Sequence, residues 1–279
     1  VLVLDLQDVG SRYYTFIWTL DLCMQACHEA GKALVVLDRP NPINGKDTEG
    51  PVLLPDYRSF VGLRPLPVRH GMTIAEIGHY FEDIFYPGVH YRVIPMQGWK
   101  RKLWFDETNL PWVLPSPNMP TLETAIVYPG MCLLEGTNLS EGRGTTRPFE
   151  LFGAPFVEAR KLADELRRCD LPGVLFRPCV IEPTFHKFAR QRCGALQLHV
   201  TDRRTFYAYR TGISVLVAIK SLWPDAFAWR AEPYEFRGDV PAIDLLTGTA
   251  AVRKAIDDGA DIDSVMRIAC TGTEAYDAG

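Results

Sequence analysis

The most polar loop of the chain covers residues 135–146 and reads EGTNLSEGRGTT. It holds two carboxylates, one arginine, one asparagine and three glycines, and glycines let a loop fold tightly and bring backbone N–H groups close to a ligand. Carboxylate, amide and guanidinium groups together suit a sugar that carries hydroxyl, acetamido and carboxylate groups. The side chains expected to contact such a ligand are Glu135, Asn138, Glu141, Arg143 and Thr145. A solvated loop with turn glycines is the structural alternative.

Two shorter polar segments each follow an apolar run that we predict to be a strand. Gln7 and Asp8 follow the first run, and Arg39 and Asn41 follow the second. If the two strands are parallel neighbours, these side chains meet at the sheet edge where α/β proteins bind ligands. For Asp8, capping of the helix that follows is an equal structural alternative.

Five more residues are candidates for the site. Arg12 and Tyr13 lie in the first turn of a predicted helix, and either side chain can reach a cleft from there. A cation at a helix N-terminus opposes the helix dipole, so we expect Arg12 to have a specific acceptor. Arg69 and His70 precede another helix, and His70 either shuttles protons and bonds a sugar or simply bonds the backbone. Asn118 lies among prolines that fix the backbone, so it either faces a ligand or belongs to a rigid hinge.

The elements that must position these residues begin with a strand, a helix and a strand. The apolar run Val1–Leu6 predicts a buried strand, and helical periodicity covers Tyr13–Ala30 up to the glycine at position 31. Ala33–Leu37 is the next apolar run. This order of strand, crossover helix and strand predicts a parallel sheet with a right-handed connection.

A long excursion rich in proline and glycine follows at residues 43–70. Thr73 and Glu76 then form a capping box, which predicts a helix that runs to about Tyr86. The strands predicted beyond this helix are Tyr91–Met96 and Trp112–Leu114.

The proline-rich segment at residues 115–120 marks our predicted boundary between a first domain, residues 1–120, and a smaller α/β domain, residues 121–279. In the second domain, a turn at residues 128–130 and a short strand at Met131–Leu134 are predicted to lead into the polar loop. A loop that follows a strand favours a binding role. Helices are predicted at Leu122–Val127, Val157–Arg168, Thr205–Leu222, Ala250–Asp258 and Ile262–Ala269, and strands at Val174–Arg177 and Ala195–Val200.

Composition and missing motifs argue against several classes of protein. Charges of both signs are mixed along the chain with a net charge of −4, so we expect no nucleic-acid partner. No apolar run approaches the ~20 residues of a membrane helix. The motifs G-x-x-x-x-G-K-[ST], G-x-G-x-x-G, H-E-x-x-H and C-x-x-C do not occur. We therefore expect no cofactor, no catalytic metal and no disulfide framework, and we retain a nucleotide-dependent enzyme only as a disfavoured alternative.

Five strings in the sequence together point to one family. They are DLQDVGSRYYT (5–15), LDRPNP (37–42), RHGMT (69–73), LPSPNMPT (114–121) and LEGTNLSEGRGTTRPF (134–149). They resemble the bacterial exo-β-N-acetylmuramidases, glycoside hydrolase family 171, which was first catalogued as a domain of unknown function. The resemblance covers most of residues 1–220.

The resemblance implies a fold and a reaction. It implies a Rossmann-like parallel-sheet domain, a smaller C-terminal α/β domain and a cleft between them. It implies release of N-acetylmuramic acid (MurNAc) from the non-reducing ends of peptidoglycan fragments such as MurNAc-GlcNAc during cell-wall turnover. Because many relatives are exported, it favours a periplasmic or secreted protein, with the cytoplasm as the alternative.

The chain departs from the family at its N-terminus. The family has an upstream Gly-Pro-Glu-His-Gly motif whose Glu is the proposed catalytic acid, whereas this chain starts at Val1 within an apolar run. We therefore expect an N-terminally truncated member. Glu141 or Asp8 is then the expected second acidic participant, with His70 as a further catalytic candidate.

The resemblance also suggests partners for each chemical group of the sugar. Arg143, Arg39 or Arg12 is expected to pair with the lactyl carboxylate, since a guanidinium binds a carboxylate through two hydrogen bonds. The residues expected to bond the acetamido or hydroxyl groups are Asn41, Asn118 and Asn138. A non-catalytic protein that binds muropeptides is the alternative function.

Overall fold

A parallel sheet forms the framework of the first half in the computed structural model of the protein, which describes residues 1–270. The strands are β1 (Leu2–Leu4), β2 (Ala33–Leu37) and β3 (His90–Ile94), and the helices between them are α1 (Phe16–Glu29) and α2 (Ile74–Phe85). The strands pair in the order β1-β2-β3, and both pairs are parallel. The predicted strand–helix–strand unit and its parallel sheet are confirmed.

Strand β1 differs from its prediction in length and in burial. It covers three residues where six were predicted, and Val1 and Val3 are 86% and 57% exposed. Leu4 is the buried residue of this strand. The reason is position, because β1 lies at the edge of the sheet and pairs only with β2 among the described residues.

Local signals define the ends of both helices. After α1 ends, Gly31 adopts a φ of +60°, the left-handed conformation that favours glycine beyond a helix C-terminus. At α2, the hydroxyl of Thr73 accepts from the Glu76 N–H at 3.3 Å, and the Glu76 carboxylate accepts from the Thr73 N–H at 2.9 Å. The predicted capping box is thus confirmed. Asp38, at the end of β2, also accepts from the Ala75 N–H at 3.2 Å, which ties the sheet to this helix.

The strand predicted at Trp112–Leu114 is absent from the structure. The segment is irregular, and Val113 is 72% exposed. Prolines at positions 111 and 115 have no N–H group to donate to a strand ladder. Trp112 is held instead by edge-on packing against Phe105, with ring centroids 5.0 Å apart.

The second half is built on an antiparallel sheet in the order β4-β6-β5. The strands are β4 (Leu151–Ala154), β5 (Val174–Ile181) and β6 (Cys193–Val200). The helices are α3 (Leu122–Met131), α4 (Ala159–Arg167), α5 (Ala208–Leu222), α6 (Ala242–Thr247), α7 (Ala250–Asp257) and α8 (Ile262–Ala269). Strand β4 and helix α6 were not predicted. Helix α8 has the predicted bounds, and the other strands and helices of this list exist with shifted ends. Residues 271–279 of the predicted second domain lie outside the described residues.

The turn predicted at residues 128–130 and the strand predicted at Met131–Leu134 are both wrong, because helix α3 and a 3-10 helix occupy these positions. The helix continues through Pro129 to Met131, and a 3-10 helix follows at Cys132–Gly136. Tertiary packing explains this, since a Cβ on Gly130 would lie 1.7 Å from the Ala208 carbonyl oxygen at the start of α5. Glycine is therefore required by a close helix contact and does not mark a turn. The polar loop consequently follows a helix and not a strand.

The two halves share a hydrophobic core. One buried cluster contains Tyr13 and Val68 from the first half together with Ile126, Ile213 and Leu245 from the second. A second cluster lies under the parallel sheet and is built from the first half alone. The α/β class with two distinct sheets is confirmed, while the domain boundary at residue 120 stays a prediction. No helix in the described range is long and apolar enough to cross a membrane.

Candidate functional site

Asp8 and His70 form a buried pair beyond the end of β1. The Nε2 atom of His70 lies 3.1 Å from Oδ2 of Asp8, and both side chains are almost fully buried. The Nδ1 atom of His70 accepts a hydrogen bond from the Met72 N–H at 3.2 Å, so the ring proton of a neutral His70 sits on Nε2 and faces the carboxylate. Oδ2 also accepts from the N–H of Gly10 at 2.7 Å. Asp8 therefore stabilises this turn, and the alternative that it caps α1 is wrong because the N-cap is Thr15.

Spare hydrogen-bonding capacity surrounds this pair. Oδ1 of Asp8 and the hydroxyl of Tyr14 are buried, and neither makes a hydrogen bond within residues 1–270. Burial and the charge of Asp8 raise the pKa of Tyr14, so its hydroxyl remains a donor. Ser116 lies close enough to influence that hydroxyl, but the geometry of a hydrogen bond is not met. Buried polar atoms without partners are costly, so these two atoms are well suited to a polar ligand.

The ends of β1 and β2 meet as predicted. The amide of Gln7 donates to the Pro40 carbonyl at 2.9 Å, and Arg39 pairs with Asp5 at 2.6 Å. A cavity of about 560 Å³ is lined by Arg39, Trp99 and neighbouring residues, and a cavity of about 380 Å³ is lined by Arg39, Gln7 and others. This is the edge of a parallel sheet where ligands bind in α/β proteins.

The polar loop carries a second charged cluster. Arg143 donates to Oε1 of Glu135 at 2.6 Å, and the hydroxyl of Tyr234 donates to Oε2 at 2.7 Å. Lys187 lies 3.1 Å from Oε2 of Glu141 and also donates to the carbonyls of Leu134 and Leu139 at 3.0 and 2.9 Å. These bonds fix the start and the middle of the loop to a residue between β5 and β6.

Glu141 is enclosed by two cationic side chains and a histidine. Its Oε1 lies 3.2 Å from Nδ1 of His186 and 3.4 Å from Arg143, and its side chain is fully buried. Burial alone raises the pKa of Glu141, but the contact with His186 and the charge of Lys187 outweigh it and lower the pKa to about 2. Glu141 is therefore an anion at neutral pH and is unsuited to donate a proton.

Aromatic packing joins the two clusters. The Tyr14 ring meets Tyr128 edge-on at 6.2 Å, and Tyr128 meets Phe149 at 4.7 Å. The guanidinium of Arg143 lies 5.1 Å above the Phe149 ring. A chain of aromatic contacts thus connects Tyr14, near Asp8, with Arg143 of the polar loop.

Two family models match this chain, and together they cover most of it. They describe the N-terminal and the C-terminal parts of the exo-β-N-acetylmuramidase NamZ and match residues 1–123 and 126–278. The chain belongs to the NamZ family.

A curated relative supports this NamZ assignment. The chain is 47% identical over 266 residues to the peptidoglycan β-N-acetylmuramidase NamZ of Bacillus subtilis (strain 168), a match that covers 95% of this chain. The chain spans 62% of the length of that relative.

Two crystal structures of DUF1343 family proteins from Bacteroides fragilis NCTC 9343 share the fold of this NamZ-family chain. The first has a TM-score of 0.88 and 31% sequence identity, and the match covers 98% of this chain and 72% of that one. The second has a TM-score of 0.74 and 26% identity, with 99% and 73% covered.

Several predicted site residues of this NamZ-family chain instead hold the fold together. Arg12 is fully buried and donates to the carbonyls of Pro51, Leu66 and Leu246 at 2.6–2.8 Å. The expectation of a specific acceptor is confirmed, but these acceptors draw the guanidinium away from any cleft. The buried Arg69 binds Glu49 at 2.6 Å and likewise serves the fold.

Four more candidates bond mainly to backbone. Tyr13 donates to the Pro129 carbonyl at 3.0 Å, and Asn41 donates to the Met72 carbonyl at 2.9 Å. Asn138 ties the loop to residues 226–228 through two bonds of 2.8 and 3.1 Å. Thr145 donates to the Gly142 carbonyl at 2.6 Å. Asn118 is partly exposed, and its backbone N–H donates to Ser116 at 3.2 Å, which leaves its amide as a candidate for the ligand.

Sequence reasoning missed Tyr14, His186, Lys187 and Tyr234. Tyr14 lies inside one of the family strings and could have been selected there, but the other three carry no motif. No group of His, Cys, Asp or Glu suited to a metal ion occurs in the described part of the chain. A separate cavity of about 780 Å³ lies between the halves, lined by Lys102 and Arg203 among others, and none of the predicted residues lines it.

Proposed function

We propose that this protein is a glycosidase that releases MurNAc from the non-reducing ends of peptidoglycan fragments. The observation that carries the proposal is the 47% identity, over 95% of this chain, to a protein named as a peptidoglycan β-N-acetylmuramidase. The buried Asp8–His70 pair, with Oδ1 of Asp8 and the Tyr14 hydroxyl open to a polar ligand, supports the same reaction class.

Glycosidases use two carboxyl groups that flank the scissile bond. We assign Asp8 as the second carboxyl participant, because its Oδ1 keeps a hydrogen-bonding position open while His70 and the Gly10 N–H hold Oδ2. Glu141 is not the proton donor, since its pKa of about 2 keeps it ionised. The donor in this proposal is the Glu of the Gly-Pro-Glu-His-Gly motif expected upstream.

For the lactyl carboxylate we favour Arg39 over Arg143. Arg39 is about 42% exposed, lines both cavities at the sheet edge and is paired with one exposed carboxylate. Arg143 is already held by Glu135 and Glu141. Asn118, on the rigid segment beside Tyr14, is our candidate for bonding the acetamido group.

The test is release of 4-nitrophenol from 4-nitrophenyl β-N-acetylmuraminide. The 279-residue chain is compared with a chain extended upstream to include the Gly-Pro-Glu-His-Gly motif. Activity of the extended chain supports the proposal, and activity confined to it places the acid upstream. If both chains are folded and inactive but bind MurNAc saturably, the non-catalytic alternative replaces the glycosidase.

The cellular site is a separate part of the proposal. We propose the periplasm or the exterior, where peptidoglycan fragments are released. No disulfide joins the seven cysteines, all of which lie within residues 1–270, and this is also compatible with a reducing compartment. Fractionation of cells that express the gene-encoded full-length protein, followed by immunoblotting, decides between the two.

A further inference from the structure

A tight hairpin in the second half has unusual residues at its tip. Tyr234 and Arg237 exchange two backbone hydrogen bonds of 2.8 and 2.9 Å, so only Glu235 and Phe236 form the loop. Both have positive φ angles, +46° and +65°. Two-residue hairpins of this kind strongly favour Asn-Gly or Asp-Gly, because side chains with a Cβ are strained in the left-handed region.

Burial does not compensate for this strain. Phe236 is 94% exposed, so its ring gains little from the hydrophobic effect. Strained backbone positions persist where the surrounding structure or the function requires them. The side chains at this tip therefore call for an explanation beyond folding.

The hairpin lies beside the charged cluster of the polar loop and also reaches the first half. The Tyr234 hydroxyl donates to Glu135 at 2.7 Å, and Arg237 donates to the Arg58 carbonyl at 2.6 Å. The Phe236 ring meets Phe60 edge-on with centroids 6.3 Å apart. Two aromatic rings from opposite halves thus pair beside the Glu135–Arg143 cluster, with Phe60 partly buried and Phe236 exposed.

The two tip residues differ in their surroundings. Burial, followed by the negative charge of Glu135, raises the pKa of Glu235, which places this carboxyl near the Glu135–Arg143 pair. Phe236 is open to solvent on its free face. A carboxyl beside an aromatic face suits a sugar ring, which offers hydroxyl groups at its edge and C–H groups on its face.

We propose that the hairpin tip binds the sugar that follows the terminal MurNAc. Phe236, backed by Phe60, stacks on the face of that sugar, and Glu235 accepts hydrogen bonds from its hydroxyl groups. This inference rests on the proposed function and adds a second subsite to it.

The test compares two ligands by titration calorimetry. One is MurNAc-GlcNAc with sulfur in place of the glycosidic oxygen, which is not hydrolysed, and the other is MurNAc alone. We expect Phe236→Ala to weaken binding of the disaccharide roughly five- to tenfold, as for the loss of one aromatic contact, and to leave binding of MurNAc unchanged. Tyr207→Ala, at another exposed aromatic residue, is the matched control and should change neither.

A second variant separates function from folding. Glu235→Asn combined with Phe236→Gly supplies the residues that this turn favours, so we expect a higher Tm together with weaker binding of the disaccharide. A lower Tm, or a disaccharide affinity equal to that of the unaltered protein in both variants, overturns the inference while the proposed function stands. If the unaltered protein binds neither ligand and cleaves no muraminide, both fail together.

Discussion

The two charged clusters of the site differ in how their carboxylates are satisfied. Each oxygen of Glu141 lies within 3.4 Å of a nitrogen of Arg143, His186 or Lys187, although the geometry of a hydrogen bond is met only at Oε2. Asp8, equally buried, has contacts only at Oδ2, and Oδ1 accepts no hydrogen bond within the described residues. The contacts of both Glu141 oxygens hold the polar loop in place. Asp8 is held at Oδ2 alone, so its Oδ1 is available to a ligand. The comparison assigns structure mainly to Glu141 and chemistry mainly to Asp8.

The largest expected effect is on catalysis by Asp8. In the N-terminally extended chain, we expect Asp8→Asn to lower kcat/KM by about 10²- to 10⁴-fold, the usual contribution of an acid–base or nucleophilic carboxylate. The side-chain oxygen of Asn can still accept from the Gly10 N–H, so Tm should change little. Asp164→Asn, at an exposed carboxylate on α4, is the control. If Asp8→Asn lowers kcat/KM no more than Asp164→Asn does, the catalytic role of Asp8 is contradicted.

The second effect is on stability and concerns Glu141. We expect Glu141→Gln to lower the free energy of unfolding by about 3–5 kcal/mol, because it leaves the buried charge of Lys187 uncompensated. Urea denaturation measures this. Glu232→Gln, at an exposed carboxylate 4.0 Å from Arg230, should change the midpoint little. If Glu141→Gln and Glu232→Gln unfold at the same urea concentration, the contacts of Glu141 do not stabilise the fold.

The same contrast predicts a dependence of stability on pH. Because the pKa of Glu141 is lowered from 4.5 to about 2, its ionised form stabilises the fold at pH values above 4.5. We expect about 3 kcal/mol of stability to be lost as the pH falls from 4.5 towards 2. In Glu141→Gln this component should be missing, so the difference between the two proteins should shrink in acid. A difference that stays constant over this range would refute the pKa assignment.

The smallest effect comes from two tyrosine hydroxyls. Tyr234→Phe removes a 2.7 Å hydrogen bond to a carboxylate and should cost about 1.5–3 kcal/mol. Tyr14→Phe removes a hydroxyl that has no hydrogen-bond partner in residues 1–270, so we expect less than about 0.5 kcal/mol. Ligand affinity should show the reverse order, with Tyr14→Phe weakening MurNAc binding more. Equal losses of stability would mean that Tyr14 is bonded within the protein.

Periodicity and capping residues predicted much of the framework. The capping box at Thr73 and helices such as α5 depend on residues close in sequence, so their signals are local. The pairing of β1 with β2 joins residues about 30 positions apart, and it was predicted from the rule for strand–helix–strand connections. Helix α3 was mispredicted because the reason for Gly130 is its contact with α5, about 80 residues later. Local patterns carry no information about such contacts.

Part of the candidate site could be predicted from the sequence. Gln7, Asp8 and Arg39 follow neighbouring parallel strands, whose carboxyl ends share one edge of the sheet. The polar loop follows helix α3 in the second half, so this rule does not place it. The structural role of Arg12 could not be foreseen, since one of its acceptors is the carbonyl of Leu246. Residues such as Lys187 and Glu235 join the site only through folding and leave no motif.

The reach of Arg12 has a consequence for synthesis of the chain. Its third acceptor, the Leu246 carbonyl, lies 234 residues downstream. At roughly 5–20 residues per second, a ribosome needs roughly 10–50 seconds to span that distance. Pulse proteolysis of nascent chains stalled before and after residue 246 measures the delay. We expect the first half to remain protease-sensitive throughout this interval and to depend on chaperones until the C-terminal helices emerge.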